Sequence, residues 1–113
     1  MHELALVSSL IEAVTEDAER RGLKKVTYLS LSVGELSGAG VDSLDFALRH
    51  LTSGTILEGA DFNVKVASSL CECKKCQQIF KPLPPFFLCP FCRSGQTVIT
   101  AGRQVYIEFY EGE

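Results

Sequence analysis

Two short cysteine motifs, Cys73-Lys74-Lys75-Cys76 and Cys89-Pro90-Phe91-Cys92, decide how this chain of 113 residues is organised. Each motif places two thiols around a two-residue turn, and twelve residues separate the motifs. One C-x2-C turn presents two sulfurs to an ion, so two turns together complete a tetrahedron of thiolates. The spacing predicts a structural Zn²⁺ site, and a closed set of four ligands argues against catalytic zinc. The predicted zinc ligands are Cys73, Cys76, Cys89 and Cys92.

The segment around these motifs, residues 68–100, differs in character from the rest of the chain. It holds all five cysteines and all four prolines, and it shows no helical periodicity. We therefore predict an inserted, zinc-ribbon-like minidomain here, with Gly95 allowing the tight backbone after the second motif. The fifth thiol, Cys71, is open to three interpretations: a spare ligand, a redox sensor or, the one we favour, a small strand residue.

The sequence outside the insert predicts two helices. From Leu4 to about Gly22, apolar residues recur every three or four positions, which indicates an amphipathic helix that ends at the glycine. Asp42 is predicted to be the N-cap of a second amphipathic helix, which ends near Gly54.

Alternating apolar and polar residues predict three strands, over residues 25–33, 61–67 and 104–110. In the last strand, Val105, Ile107 and Phe109 are expected to face inward. The predicted fold class is α+β, with two helices packed on a three-stranded mixed sheet and an inserted four-cysteine minidomain. The expected domains are residues 1–67 plus 101–113 and residues 68–100.

Composition and charge narrow the range of functions. The net charge is −3 and the isoelectric point is about 5.4, which argues against binding to nucleic acid. No signal peptide and no run long enough to cross a membrane is visible, and five cysteines without a signal peptide favour metal binding over disulfides. We expect a cytoplasmic protein that binds neither nucleic acid nor membrane. It is not expected to be an enzyme, because no phosphate loop or nucleophile–base pair is evident.

The first three residues, Met1-His2-Glu3, stand directly before the first predicted helix. They offer an α-amine, backbone amides and an imidazole, and nitrogen donors in one plane suit square-planar Ni(II) or Cu(II). From the terminus alone, a start methionine followed by unrelated residues is the simpler interpretation. The rest of the chain changes that balance.

Four features span nearly the whole chain: Met1-His2-Glu3-Leu4, Val33-Gly34-Glu35-Leu36-Ser37, the two cysteine motifs and a closing amphipathic strand around Glu108. Together they resemble the HypA/HybF family of hydrogenase-maturation nickel metallochaperones. The resemblance implies that residues 1–67 plus 101–113 form a nickel-binding domain. Ni(II) would be held by His2 and neighbouring backbone nitrogens, including that of Glu3, with the Met1 amine as a further donor. It also implies structural Zn(II) at the four cysteines.

The resemblance further implies delivery of nickel toward the hydrogenase large subunit and a P-loop NTPase partner, HypB. Some relatives help to supply urease, so urease maturation proteins are further candidate partners. Relatives can be monomers or dimers, and the sequence leaves that choice open.

This chain departs from the family pattern in its histidines. Some members carry a histidine in the zinc domain, whereas residues 68–100 contain none, and His50 is expected on the outside of the second helix. The fourth nickel ligand therefore stays open. A further hypothesis is that a docking partner reorients the minidomain through joins near Ser68–Ser69 and Thr100–Gly102, and so helps to load or release nickel.

Two other functions fit parts of the sequence. The four-cysteine minidomain could belong to a zinc-ribbon module that binds protein or nucleic acid, or its cysteines could hold iron in a rubredoxin-like electron carrier. The near-neutral minidomain is poorly suited to bind nucleic acid, because such binding depends on an excess of positive charge. A colourless protein with one tightly held zinc would exclude the electron carrier.

Overall fold

The computed structural model describes residues 3–83 and 87–113 and shows two helices and six strands along them. The elements are α1 (Glu3–Arg20), β1 (Val26–Gly34), α2 (Val41–Leu51), β2 (Asp61–Ala67), β3 (Leu70–Cys73), β4 (Ile79–Phe80), β5 (Thr97–Ala101) and β6 (Val105–Gly112). The molecule is elongated, with extents of 54 × 25 × 18 Å. Neither helix in the described ranges has the length and apolar character that a bilayer crossing requires.

The first sheet has the strand order β2-β1-β6. Strand β1 pairs in parallel with β2 and antiparallel with β6, so the sheet is mixed, as predicted. Both helices contribute to one apolar core with this sheet, which confirms the predicted α+β class. We call these five elements the α+β unit.

Helix α1 follows its sequence pattern closely. Its buried residues, Val7, Ile11, Val14 and Ala18, lie three or four positions apart and form one stripe against the sheet. Gly22, predicted to end the helix, has a φ of 74°, and the Leu23 amide donates to the Ala18 carbonyl oxygen at 2.9 Å. This is the Schellman arrangement, which needs a residue that tolerates positive φ.

Helix α2 begins two residues earlier than predicted. Its N-cap is Gly40, with extended backbone and no side-chain capping bond, so the prediction of Asp42 as N-cap is wrong. Asp42 lies instead in the first turn, where a negative charge is favourable because it faces the positive end of the helix dipole.

A bulge in β6 moves the side chains of its last residues to the opposite faces of the sheet from those predicted. Leu31 pairs with Ile107, but the next residue back along β1, Ser30, pairs with Phe109, so Glu108 is the extra residue. The prediction that Phe109 faces inward is therefore wrong: it is 48% exposed. Tyr110 turns toward the helices instead, packs on the core and donates its hydroxyl to Asp17 of α1 at 2.5 Å.

The second sheet has the strand order β4-β3-β5 and is antiparallel throughout. We call β3, β4, β5 and the described residues between them the cysteine unit. Its buried core consists of Cys71, Cys73, Phe80 and Cys89, and it shares no residue with the core of the α+β unit. Residues 84–86, which follow β4 in the sequence, lie outside the described ranges.

The chain passes twice between the units, and both passages cross the end of β1. The Leu36 amide donates to the Gly102 carbonyl oxygen at 2.8 Å, and the Glu35 amide donates to that of Ala67 at 2.9 Å. A Cβ on Gly34 would lie 2.2 Å from the Gly102 oxygen. Only glycine fits at position 34, because the two backbones approach too closely for any side chain.

We predict that Gly34→Ala lowers the free energy of unfolding by about 2–3 kcal/mol, because the crossing backbones must separate to admit the methyl group. Chemical denaturation of the metal-loaded chain measures this loss. Gly40→Ala is the matched control: a Cβ there meets nothing closer than 3.6 Å, and the expected cost is about 0.5–1 kcal/mol, because alanine is a poorer N-cap than glycine. Equal losses in the two variants would contradict the steric argument.

Candidate metal centre

The four predicted zinc ligands come together at the end of the cysteine unit. Their sulfurs all lie within 4.8 Å of one another, with Cys73 Sγ 3.5 Å from Cys92 Sγ and Cys76 Sγ 3.6 Å from Cys89 Sγ. Four sulfurs at about 2.3 Å from one Zn²⁺ would lie about 3.8 Å apart. The size of the cluster therefore suits an ion with tetrahedral coordination. Four thiolates favour zinc or iron over harder metals.

The two motifs adopt the same backbone turn. In the first, the Gln77 amide donates to the Cys73 carbonyl oxygen at 2.9 Å; in the second, the Arg93 amide donates to that of Cys89 at 2.8 Å. The amide of the second cysteine of each motif also faces the first sulfur, at 3.4 Å in both. Each turn thus aims amide hydrogens at the sulfurs, which stabilises negative charge there.

The strained position of each turn is the residue that follows the second cysteine. Gln77 has a φ of 66° and Arg93 a φ of 63°, in the left-handed region that favours glycine. Our expectation that Gly95 provides the tight backbone is wrong, because Gly95 has no positive φ. The chain places side-chain-bearing residues where the turn geometry favours glycine.

The amides also affect how readily the metal ligands ionise. The pKa of Cys73 is lowered to about 6, first by the hydrogen bond from the Cys76 amide and then by the bond from the Lys75 amide. A thiolate is the form that binds metal, so this cysteine is prepared for coordination at neutral pH.

Cys71 lies outside the four-sulfur cluster. It is 1% exposed, belongs to the core of the cysteine unit and pairs with Phe80 across β3 and β4. Burial raises the pKa of its thiol, whereas a redox-sensing cysteine needs an accessible thiolate. These features favour the small strand residue among our three interpretations.

The predicted nickel ligands are the first three residues of the sequence. Met1 and His2 fall outside the described residues, so their predicted roles remain predictions. Glu3 is the first residue of α1, and its Oε2 accepts a hydrogen bond from the Gly40 amide at 3.4 Å. His50 is exposed on α2, with its ring centroid 4.0 Å from that of Phe46.

The sequence argument missed Glu35. The structure places its carboxylate between the two units, where it bonds to Ser69 and Lys81. In the sequence, the only signal is an acidic residue directly after a strand and a glycine, which by itself indicates a loop.

A closed four-thiolate cluster appended to an α+β unit defines a small metal-binding protein whose cysteine site is not catalytic. Comparison with known families matches residues 1–112 to HypA, described as hydrogenase/urease nickel incorporation, metallochaperone. The hydrogenase maturation factor HypA of Caldanaerobacter subterraneus subsp. tengcongensis is 36% identical, over the full length of both chains. That of Methanocaldococcus jannaschii is 34% identical, over 96% of this chain and 94% of the relative.

Solved structures agree with these sequence matches. The Ni metallochaperone HypA from Helicobacter pylori has a TM-score of 0.73 at 25% identity, covering 99% of this chain and 97% of that one. A second solution structure of a HypA protein has a TM-score of 0.78 at 26% identity, covering 100% and 97%.

This chain belongs to the HypA family of hydrogenase/urease nickel-incorporation metallochaperones. The predicted family, the predicted function as a nickel metallochaperone in hydrogenase maturation and the prediction that it is not an enzyme are confirmed. A maturation role implies partners among the maturation proteins.

We predict that Gln77→Gly and Arg93→Gly each raise the free energy of unfolding of the metal-loaded chain by about 0.5–1 kcal/mol, because glycine relieves the left-handed strain. Thermal or chemical unfolding measures the gain. Gln78→Gly is the control, since its φ is not positive, and it should lower stability by about 0.5–1 kcal/mol. Destabilisation by all three substitutions would rule out the strain argument.

Proposed function

We propose that this metallochaperone carries Ni(II) at its N-terminus, bound by His2, by backbone nitrogen including that of Glu3, and by the Met1 amine. One observation carries the proposal: α1 begins at Glu3 and is fixed to the core from Val7 onward. In the sequence, no residue separates His2 from this anchored helix. Donors next to an anchored helix would lose little further conformational entropy on binding one ion.

The chemistry of such a site suits a carrier. Square-planar Ni(II) takes imidazole, amine and amide nitrogens, and Cu(II) competes for the same donors. Protons compete with the metal for these nitrogens, so affinity should fall as the pH falls. A site at a chain end is also open to incoming ligands from a partner, which allows nickel to pass by ligand exchange.

The role of Glu3 is better assigned to its backbone than to its side chain. Its carboxylate accepts the bond from Gly40 and lies in the first turn of α1, where negative charge is favourable. This leaves the backbone nitrogen of Glu3 as its contribution to the metal. The fourth nickel ligand stays open, and His50 is a poor candidate because it packs on Phe46 on the outer face of α2.

Zn(II) is the proposed resident metal of the cysteine unit, held by Cys73, Cys76, Cys89 and Cys92. The sulfur–sulfur distances support a tetrahedral ion, and four protein ligands make zinc a structural metal here. We also propose that residues 68–100 form a zinc-binding domain and that residues 1–67 plus 101–113 form the nickel-binding domain. The separate cores support this division.

The proposed partners are proteins of nickel delivery: a P-loop NTPase of the HypB type, the hydrogenase large subunit and urease maturation proteins. The family description, which names both hydrogenase and urease, supports this set. Exposed apolar side chains on the cysteine unit, such as Ile79, Leu83 and Phe91, favour protein over nucleic acid as what this unit contacts. The expected location is the cytoplasm, where the chain acts as a monomer or a dimer.

Removal of the His2 imidazole should abolish nickel binding without affecting zinc. We predict close to one Ni(II) per chain for the untagged wild type and loss of tight binding in His2→Ala, with zinc unchanged. Calorimetric titration with Ni(II) and elemental analysis of the same samples measure both quantities. His50→Ala is the matched control and should bind nickel like the wild type. Equal nickel binding by wild type and His2→Ala would defeat the assignment.

A residue added before Met1 tests the amine separately. It moves the α-amine away from His2 while leaving the imidazole and the Glu3 amide in place. Weakened binding in this variant would assign the amine as a ligand, and unchanged binding would leave the imidazole and amides as the donor set.

Loss of one zinc ligand should unfold the cysteine unit alone. We predict that Cys73→Ser, or treatment of the wild type with a strong chelator, removes zinc and collapses the chemical-shift dispersion of the β3 to β5 amides, while the dispersed signals of β1, β2 and β6 persist. Two-dimensional NMR and zinc analysis measure this. Cys71→Ala is the control and should keep one zinc per chain. Simultaneous loss of both units would contradict the two-domain division, and iron–thiolate absorbance in the purified protein would contradict zinc.

A further inference from the structure

Hydrophobic packing does not set the orientation of the cysteine unit on the α+β unit. The two cores share no residue, and among the described residues no helix or strand of one unit packs broadly against a strand of the other. Units connected only by short joins rotate relative to each other unless specific contacts hold them. The contacts at the joins therefore decide the angle between the units.

Backbone hydrogen bonds at the end of β1 fix the two joins, but they do not reach the cysteine unit itself. The amides of Glu35 and Leu36 donate to the carbonyl oxygens of Ala67 and Gly102, which are the last residue of β2 and a residue between β5 and β6. Both acceptors belong to the passages between the units. They fix where the chain leaves and returns, and rotation beyond these points stays free.

The side chain of Glu35 reaches further than its backbone. Its Oε1 accepts hydrogen bonds from the Ser69 amide at 2.7 Å, from the Ser69 hydroxyl at 2.9 Å and from Lys81 Nζ at 2.7 Å. Ser69, which is 3% exposed, lies in the join directly before β3, whereas Lys81 directly follows β4 inside the cysteine unit. One carboxylate oxygen thus contacts both the join and the body of the cysteine unit.

We propose that Glu35 is the positioning residue that holds the cysteine unit at a fixed angle to the nickel-carrying α+β unit. Contact with Ser69 alone would leave a hinge, because Ser69 lies in the join. Lys81 belongs to the body of the cysteine unit, so its bond to the same oxygen prevents rotation of that unit about the joins. Charge-assisted bonds of this kind are shorter and stronger than bonds between neutral groups.

The position of Glu35 has a consequence for nickel delivery. A partner that reorients the cysteine unit through the joins must first separate Lys81 and Ser69 from Glu35. The Lys81 pair is accessible to such a partner, since the side chains of Lys81 and Glu35 are 58% and 36% exposed. An exposed pair is also weakened by salt. The proposal uses no nickel ligand, so it stands or falls independently of the assignment of His2.

Residual dipolar couplings of the zinc-loaded full chain test the proposal. In the wild type, amide couplings from both units should fit one alignment tensor. In Glu35→Ala, the common tensor should be lost, with the cysteine unit aligning separately, while zinc content and the chemical shifts of both cores stay as in the wild type. A merely stabilising role for Glu35 would lower the unfolding midpoint and leave the tensor unchanged.

Three further variants sharpen the test. Lys81→Met should also lose the common tensor, because Ser69 alone leaves a hinge, and it decides the question if Glu35→Ala does not fold. Glu72→Ala is the matched control: it removes the Glu72–Lys74 pair, at 3.1 Å, within the cysteine unit and should keep one tensor. Glu35→Gln keeps an acceptor for Ser69 but loses the charge that Lys81 meets, so it should resemble Lys81→Met.

One alignment tensor with wild-type orientation in Glu35→Ala, or in Lys81→Met, would overturn the proposal. Nickel titration of the same samples is expected to give wild-type stoichiometry in all four variants. A failure of the nickel assignment would appear in that titration, and a failure of the orientation proposal would appear only in the couplings.

Discussion

The cysteine unit depends on the meeting of four thiolates at one point. Three of the four buried residues of its core are cysteines, and two of them, Cys73 and Cys89, belong to the four-sulfur cluster. Without a bound cation, four sulfurs within 4.8 Å of one another would repel on ionisation, and the remaining apolar core is small for a unit that folds alone. We therefore expect metal binding and folding of this unit to be one process.

The two metal sites of a nickel carrier have opposite requirements. A structural zinc must stay, and the proposed zinc ligands are half-buried or buried, closed and held by paired turns with amides aimed at the sulfurs. A transported nickel must leave, so the proposed donors, Met1, His2 and the backbone of Glu3, would have to release the ion to a partner. Placing them in separate units allows one site to be permanent and the other to exchange.

The connection between the units is built from small residues and one acid. Gly34 and Gly102 let three stretches of backbone cross at distances that no side chain would tolerate, and a Cβ on Gly102 would lie 2.5 Å from Ser69 Cα. Glu35 follows Gly34 directly, so the close crossing also places its carboxylate beside the cysteine unit. The Val33-Gly34-Glu35 segment, which also belongs to the family pattern, thus lies where the two units meet.

The amino-acid sequence by itself determined the two helices, the three strands of the mixed sheet, the inserted four-cysteine unit and the four residues of its metal cluster. These features depend on short-range periodicity and on cysteine spacing, which a sequence displays directly. Only the tertiary structure decided the bulge at Glu108, the strain at Gln77 and Arg93, and the role of Glu35. The bulge and the role of Glu35 depend on partners far along the chain, Ser30 and Lys81, and local patterns carry no information about such pairings. The strain at Gln77 and Arg93 is local, but neither residue type indicates a positive φ in the sequence.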